Sequence, residues 1–147
     1  MTKDQLLQGQ IQAIAAWVSC FDGLVATPRI GLGPNKQTLY IKNFPLPDGY
    51  NPNCLDIVLD VSNFPVDPPK GIYLLTNATS RPLVDHLKRN FNIFQNSAAH
   101  SARPVQGYEW ICVGYINGWR FNPNNPPKGD NILKMLQSWW RILDEGK

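Results

Sequence analysis

The sequence predicts an α+β fold: an N-terminal helix, a four-stranded antiparallel meander and a C-terminal helix. Three observations carry that expectation. Leu7, Ile11, Ile14, Val18 and Phe21 recur at the spacing of one helical face. Leu55, Ile57, Leu59 and Val61 alternate with Asp56, Val58 and Asp60, the period of a strand with one face buried and one largely wet. Ile132, Leu133, Leu136, Trp139, Trp140 and Leu143 return to helical spacing. A chain of 147 residues is long enough to bury a core without staples, and a single domain over residues 1–147 is expected.

Taken in order, Thr2 and Gln5 have capping-box spacing, and a helix follows over about residues 3–21, ended by Asp22-Gly23. Trp17 and Cys20 fall near its buried side and are expected to pack in the core. Leu24 to Leu32 and Gln37 to Phe44 are the first two strands, separated by the turn Gly31-Leu32-Gly33-Pro34-Asn35. Those glycines lack the full spacing of a phosphate cradle. Cys54 opens the third strand in a structural role. The run Phe64-Pro65-Val66-Asp67-Pro68-Pro69 then forms a stiff crossing, because prolines fix φ and donate nothing to a ladder. Gly71 to Leu75 is the fourth strand. Leu83, Val84, Leu87 and Phe91 suggest a short helix behind Arg81-Pro82, residues 92–106 and 120–128 are loops, and Asp130 is the expected cap of the closing helix at the far end.

Composition narrows the function classes. The hydrophobic fraction of 43% and charged fraction of 17% are globular values, and no apolar run approaches a membrane span. No basic start followed by an apolar stretch opens the chain, so a secretory leader is not expected. Three widely spaced cysteines, Cys20, Cys54 and Cys112, argue against a disulfide framework or a zinc site and fit a reducing, cytoplasmic setting. With His86 and His100 the only histidines, a histidine-rich metal site is excluded, and no cofactor is called for. A net charge of +3 on scattered basic residues does not point to a nucleic-acid surface without excluding one, and neither nucleic acid nor membrane is an expected partner.

The stretch Tyr108-Glu109-Trp110-Ile111-Cys112-Val113-Gly114-Tyr115-Ile116-Asn117-Gly118-Trp119 sets one cysteine among apolar neighbours, after the crossing and before the closing helix. That order of parts resembles the ubiquitin-conjugating enzyme superfamily. The run from Asp56 to Tyr73 is similar to the family's third strand, Tyr-Pro-x-x-Pro-Pro turn and fourth strand. Ile111-Cys112-Val113 with Trp119 resembles its active-site cysteine and following tryptophan. Leu46-Pro47-Asp48-Gly49-Tyr50, Gly118-Trp119-Arg120 and Asp130-Asn131-Ile132-Leu133 point to the bacterial branch, found in operons with ubiquitin-like modification parts. Some of those operons are cyclic-oligonucleotide antiphage defence systems. The resemblance implies a thioester carried on Cys112. It also implies an activating enzyme and a ubiquitin-like modifier as partners, a nucleotide cyclase as one kind of target, and the first helix, with Lys3, Gln8 and Gln12 on its polar side, as the surface that meets the activating enzyme. The family's His-Pro-Asn tripeptide is absent, and Arg120-Phe121 follows Trp119 in place of Ser-Pro, so the group that would stabilise an oxyanion is unassigned.

Each candidate residue has a plainer alternative. Cys112 is a nucleophile or a buried structural thiol. His100, twelve residues upstream, is an oxyanion donor or general base, or an exposed loop residue. Trp119 contacts substrate or packs the loop that carries Cys112. Asp130 polarises an incoming lysine or simply caps a helix. Two function classes follow: a cysteine-dependent acyl transferase, or a catalytically inactive binding module of the same fold. A cysteine protease is disfavoured, because no His-Cys spacing specifies one.

Overall fold

The computed structural model describes residues 2–24, 26–69, 71–90, 95–96, 105–112 and 119–146, with the side chains of residues 90, 95, 96 and 112 left aside. It is an α+β structure. Helix α1 (Lys3–Val18) precedes strands β1 (Arg29–Leu32), β2 (Thr38–Pro45), β3 (Cys54–Asp60) and β4 (Ile72–Leu75). Helix α2 (Arg81–Asn90), strands β5 (Gln95–Asn96) and β6 (Tyr108–Cys112) and helix α3 (Ile132–Gly146) complete it. The strands form one antiparallel sheet in the order β1-β2-β3-β4-β6-β5. The expected four-stranded meander is therefore its first part. Among the described residues, five strands of four or more residues, plus the two-residue β5 at one edge, replace it. The added strand β6 is the cysteine-bearing stretch itself, which pairs Tyr108 with Leu75 and Ile111 with Ile72.

Helix α1 begins as the sequence requires. Thr2 Oγ1 accepts the Gln5 amide at 3.2 Å and Gln5 Oε1 accepts the Thr2 amide at 3.0 Å, a complete capping box. It ends three residues earlier than expected. The Ser19 hydroxyl donates to the Ala16 carbonyl, and the Cys20 and Phe21 amides reach back only three residues, to Trp17 and Val18. Such bonds tighten and close a last turn. Cys20 consequently stands beyond the helix and is exposed, not packed in the core. The first strand is likewise shorter than expected, starting after Pro28, which has no N–H for a ladder.

Asn43, at φ 58°, makes a bulge between Ile41 and Phe44 in β2, and Asp56 Oδ1 accepts its amide at 2.8 Å. The bulge returns Phe44 to the core beside Leu39 and Ile41. There the two long helices meet: Trp17 of α1 and Trp139 of α3 lie 6.0 and 5.4 Å from the Phe44 ring, and Phe21 lies 5.3 Å from Trp140. The closing helix, expected at the far end, thus packs beside α1. Aromatic pairs of this kind contribute about 0.5–1.5 kcal/mol each beyond their buried area.

The opposite face of the sheet departs from its expected wetness along one row. Tyr40, Val58, Tyr73 and Trp110 stand in register across β2, β3, β4 and β6, and Val58 and Tyr73 are buried. Large side chains directly opposite one another cover each other on a pleated surface. No helix among the described residues is long and apolar enough to cross a membrane.

Candidate functional site

Strand β6 brings Cys112 to the end of a firmly held ladder. Ile111, the residue before it, is fully buried and stands in register with Ile72 on one side and Asn96 on the other. Cys112 is the last residue of the strand, opposite Gln95. Residues 113–118 and His100 lie outside the described residues, so the proposed donor and the segment after the cysteine have no placement to set beside it.

The chain is described again at Trp119, and there it is tied to the crossing. The Trp119 indole N–H donates to the Pro65 carbonyl at 2.9 Å, its ring packs partly buried against the core, and Phe121 meets Phe64 edge-on at 4.9 Å. An indole N–H committed to a backbone carbonyl has no second proton to offer a substrate. Trp119 therefore sits as a strut between the crossing and the return segment. Its expected packing on the loop that carries Cys112 falls outside the described residues.

Asp130 is not the helix cap. That place belongs to Asn131, whose Oδ1 accepts the Lys134 amide at 2.8 Å, the bond an N-cap side chain makes to the third helical residue. Asp130 instead closes a bridge with Arg120. Its carboxylate accepts the Arg120 amide and its own amide donates to the Arg120 carbonyl, both at 2.8 Å. A β-carbon at Gly129 would come within 2.6 Å of that same Arg120 carbonyl, so the approach leaves no room for a side chain.

The first two amides of α3 are satisfied from a distance. Gln10 of α1, almost fully buried, accepts the Ile132 amide at 2.9 Å and the Leu133 amide at 3.4 Å through one side-chain oxygen. With Asn131 on the third amide, three of the four amides at the helix start have acceptors, two of them supplied by another helix.

Charge near the cysteine strand is concentrated on Glu109. Lys88 Nζ lies 2.6 Å and Arg81 Nη1 3.3 Å from its carboxylate, which fastens α2 to β6. Burial pushes the Glu109 carboxyl up, but the Lys88 hydrogen bond and the two positive charges outweigh it and hold the group below its ordinary range. Tyr108 goes the other way: burial, then the Asp56 charge, raises its phenol, so it stays protonated at neutral pH and is no general base. Among the described residues no group of three or more His, Cys, Asp or Glu side chains is placed to hold a metal ion.

A cavity of about 380 Å³ opens between α1 and α3, lined by Leu6, Gly9, Ala13, Pro126 and Leu133 among others. Neither Trp119 nor Asp130 lines it. Gln10, Asn131 and the Lys88–Glu109–Arg81 group are what the sequence did not reveal. Of these only Asn131 had a readable signal, since asparagine one residue before an apolar helical run is itself a good cap. No protein-family model, curated protein or solved structure matches the chain.

Proposed function

We propose that the chain is a ubiquitin-conjugating-enzyme-like transferase that carries a ubiquitin-like or other acyl protein as a thioester on Cys112. The observation that supports this reading is the tie between Trp119 and Pro65. It joins the return segment after the cysteine to the proline crossing before the fourth strand, so the two stretches that resemble the family's motifs are in contact as well as in order. Cys112 on β6, opposite Gln95, is in keeping with it, because the ladder holds the backbone that carries the thiol.

The chemistry asks little of the surroundings in its first step. The Cys112 thiolate attacks the carbonyl carbon of a thioester on the activating enzyme and expels that enzyme's thiolate. At an unperturbed pKa roughly 3% of a cysteine is ionised at pH 7, enough for exchange between thioesters. In the second step a lysine amine of the target attacks the new thioester, the carbon–sulfur bond breaks, Cys112 leaves as thiolate and the amine loses a proton to solvent. The tetrahedral oxyanion of that step is where one positioned donor is typically worth about 3–4 kcal/mol. The partners are then an activating enzyme, the modifier and an acceptor protein, with a nucleotide cyclase of an antiphage system as the acceptor the resemblance favours. The cytoplasm is the setting in which these meet.

Incubation with activating enzyme, ATP and modifier should give an adduct that thiol reductant cleaves. Cys112→Ser should turn it into a reductant-resistant ester and Cys112→Ala should abolish it. Full target modification in cells by Cys112→Ala would sink the transferase reading and leave the inactive binding module in its place.

A further inference from the structure

We propose that Gly71 is a positioning residue for Cys112: it lets the chain entering β4 lie directly against the peptide unit that Ile111 shares with Cys112. The inference rests on reading Cys112 as the acyl carrier. Gly71 links the proline crossing to β4, is buried, and has φ +69°, a left-handed conformation that favours glycine. A β-carbon at this position would collide with the Ile111 carbonyl oxygen and with the Trp110 indole. The Ile111 carbonyl and the Cys112 amide belong to one planar peptide unit. Whatever occupies position 71 therefore sets the tilt of the backbone that carries the cysteine.

That peptide unit has little freedom to retreat. Ile111 is fully buried and is flanked by Ile72 on β4 and Asn96 on β5. A close-packed interior answers an added methyl by shifting backbone or side chains, not by compressing. A methyl at position 71 is relieved by rotation of the Ile111–Cys112 peptide, by displacement of β6 from β4 or by retreat of residue 71 itself, and the first two move Cys112. Acyl transfer needs reacting atoms aligned within about 3–3.5 Å, and a misplacement of ~1 Å costs on the order of 100-fold in rate.

Gly107, at the entry to the same strand, supplies a control. It precedes β6 at φ +82°, and its carbonyl accepts the Thr76 amide at 2.8 Å, yet a β-carbon there meets nothing within 4 Å. Alanine strains the backbone at either glycine, but only at Gly71 does it collide.

The test alkylates full-length wild type, Gly71→Ala and Gly107→Ala with iodoacetamide over a range of pH and maps the label by mass spectrometry. Cys20, exposed beyond α1, is the reference inside each molecule. Gly71→Ala is expected to change the Cys112-to-Cys20 rate ratio, or displace its pH profile, by at least about fivefold, with Gly107→Ala within twofold of wild type. An unchanged ratio in folded Gly71→Ala, or an equal change in Gly107→Ala, overturns the inference. If Gly71→Ala does not fold, the same comparison is made between Trp110→Leu and Trp110→Leu/Gly71→Ala, where the ring gives way and the carbonyl contact remains. The ratio must still move between those two for the inference to stand. A wild-type Cys112 that takes no label defeats the acyl-carrier reading itself, whereas a reactive Cys112 indifferent to position 71 defeats only the role of Gly71.

Discussion

Replacing Gln10 by leucine removes the oxygen that caps α3 while keeping a side chain of similar size. Two amides lose their acceptor. The Ile132 bond, at 2.9 Å to a fully buried residue, is the stronger, and an amide stranded there costs about 1–3 kcal/mol. The Leu133 bond, at 3.4 Å on a part-buried residue, is long and adds at most about 0.5 kcal/mol. Leucine recovers some energy by burying methyl groups where an amide stood, so the net loss should be about 2 kcal/mol. For a domain of this length that is a fall in Tm of about 4–8 °C. Urea unfolding should show the midpoint falling with an unchanged m-value, and the Ile132 and Leu133 amides should exchange with solvent faster than the amides in the middle of α3. A midpoint within about 0.5 kcal/mol of wild type would mean that water reaches those amides and that the α1–α3 joint is not sealed.

Two further outcomes follow from the charges and thiols. The depressed Glu109 carboxyl stabilises the fold above the ordinary carboxylate range, and that contribution is lost as pH falls through its lowered pKa; Glu109→Gln should cost about 0.5–1 kcal/mol at pH 7, shrinking to nothing in acid, as read from chemical unfolding at several pH values. Cys54, whose thiol is raised by burial and then by the Asp56 charge, should alkylate far more slowly at neutral pH than exposed Cys20; equal rates would mean that β3 opens readily at its first residue.

The parts of the fold that were legible are those whose signal is local. Thr2 and Gln5 sit one turn apart and can satisfy only each other's amides, so the capping box appears where the sequence places it. The alternation from Leu55 to Val61 needs only a pleat to separate its two faces. Where the outcome depended on distant partners, the pattern was silent. Val58 is buried by Tyr40 and Tyr73, which lie on other strands. Gln10 looks like one more polar helical residue until α3 is brought to it from the other end of the chain. The exchange of roles between Asp130 and Asn131 turned on a single residue of phase, since either is a good cap and only the bridge to Arg120 decides between them. For the site, the sequence picked out Cys112, His100, Trp119 and Asp130, and the structure supplies what holds the last two. Gly71 carried no signal of its own, because a glycine after a proline run looks like a turn whether or not a backbone passes beside it.

The placement of the five tryptophans gives the molecule two separate optical reporters. Trp17, Trp139 and Trp140 belong to the ring cluster where α1 meets α3, each packed against Phe21 or Phe44. Trp110 and Trp119 stand on the cysteine side, one beside Gly71 and the other bonded to Pro65. The environment of the first three follows the helix joint, while emission colour and quenching of the second pair follow events around the crossing. Light separates the part of the protein that keeps it folded from the part that is proposed to work.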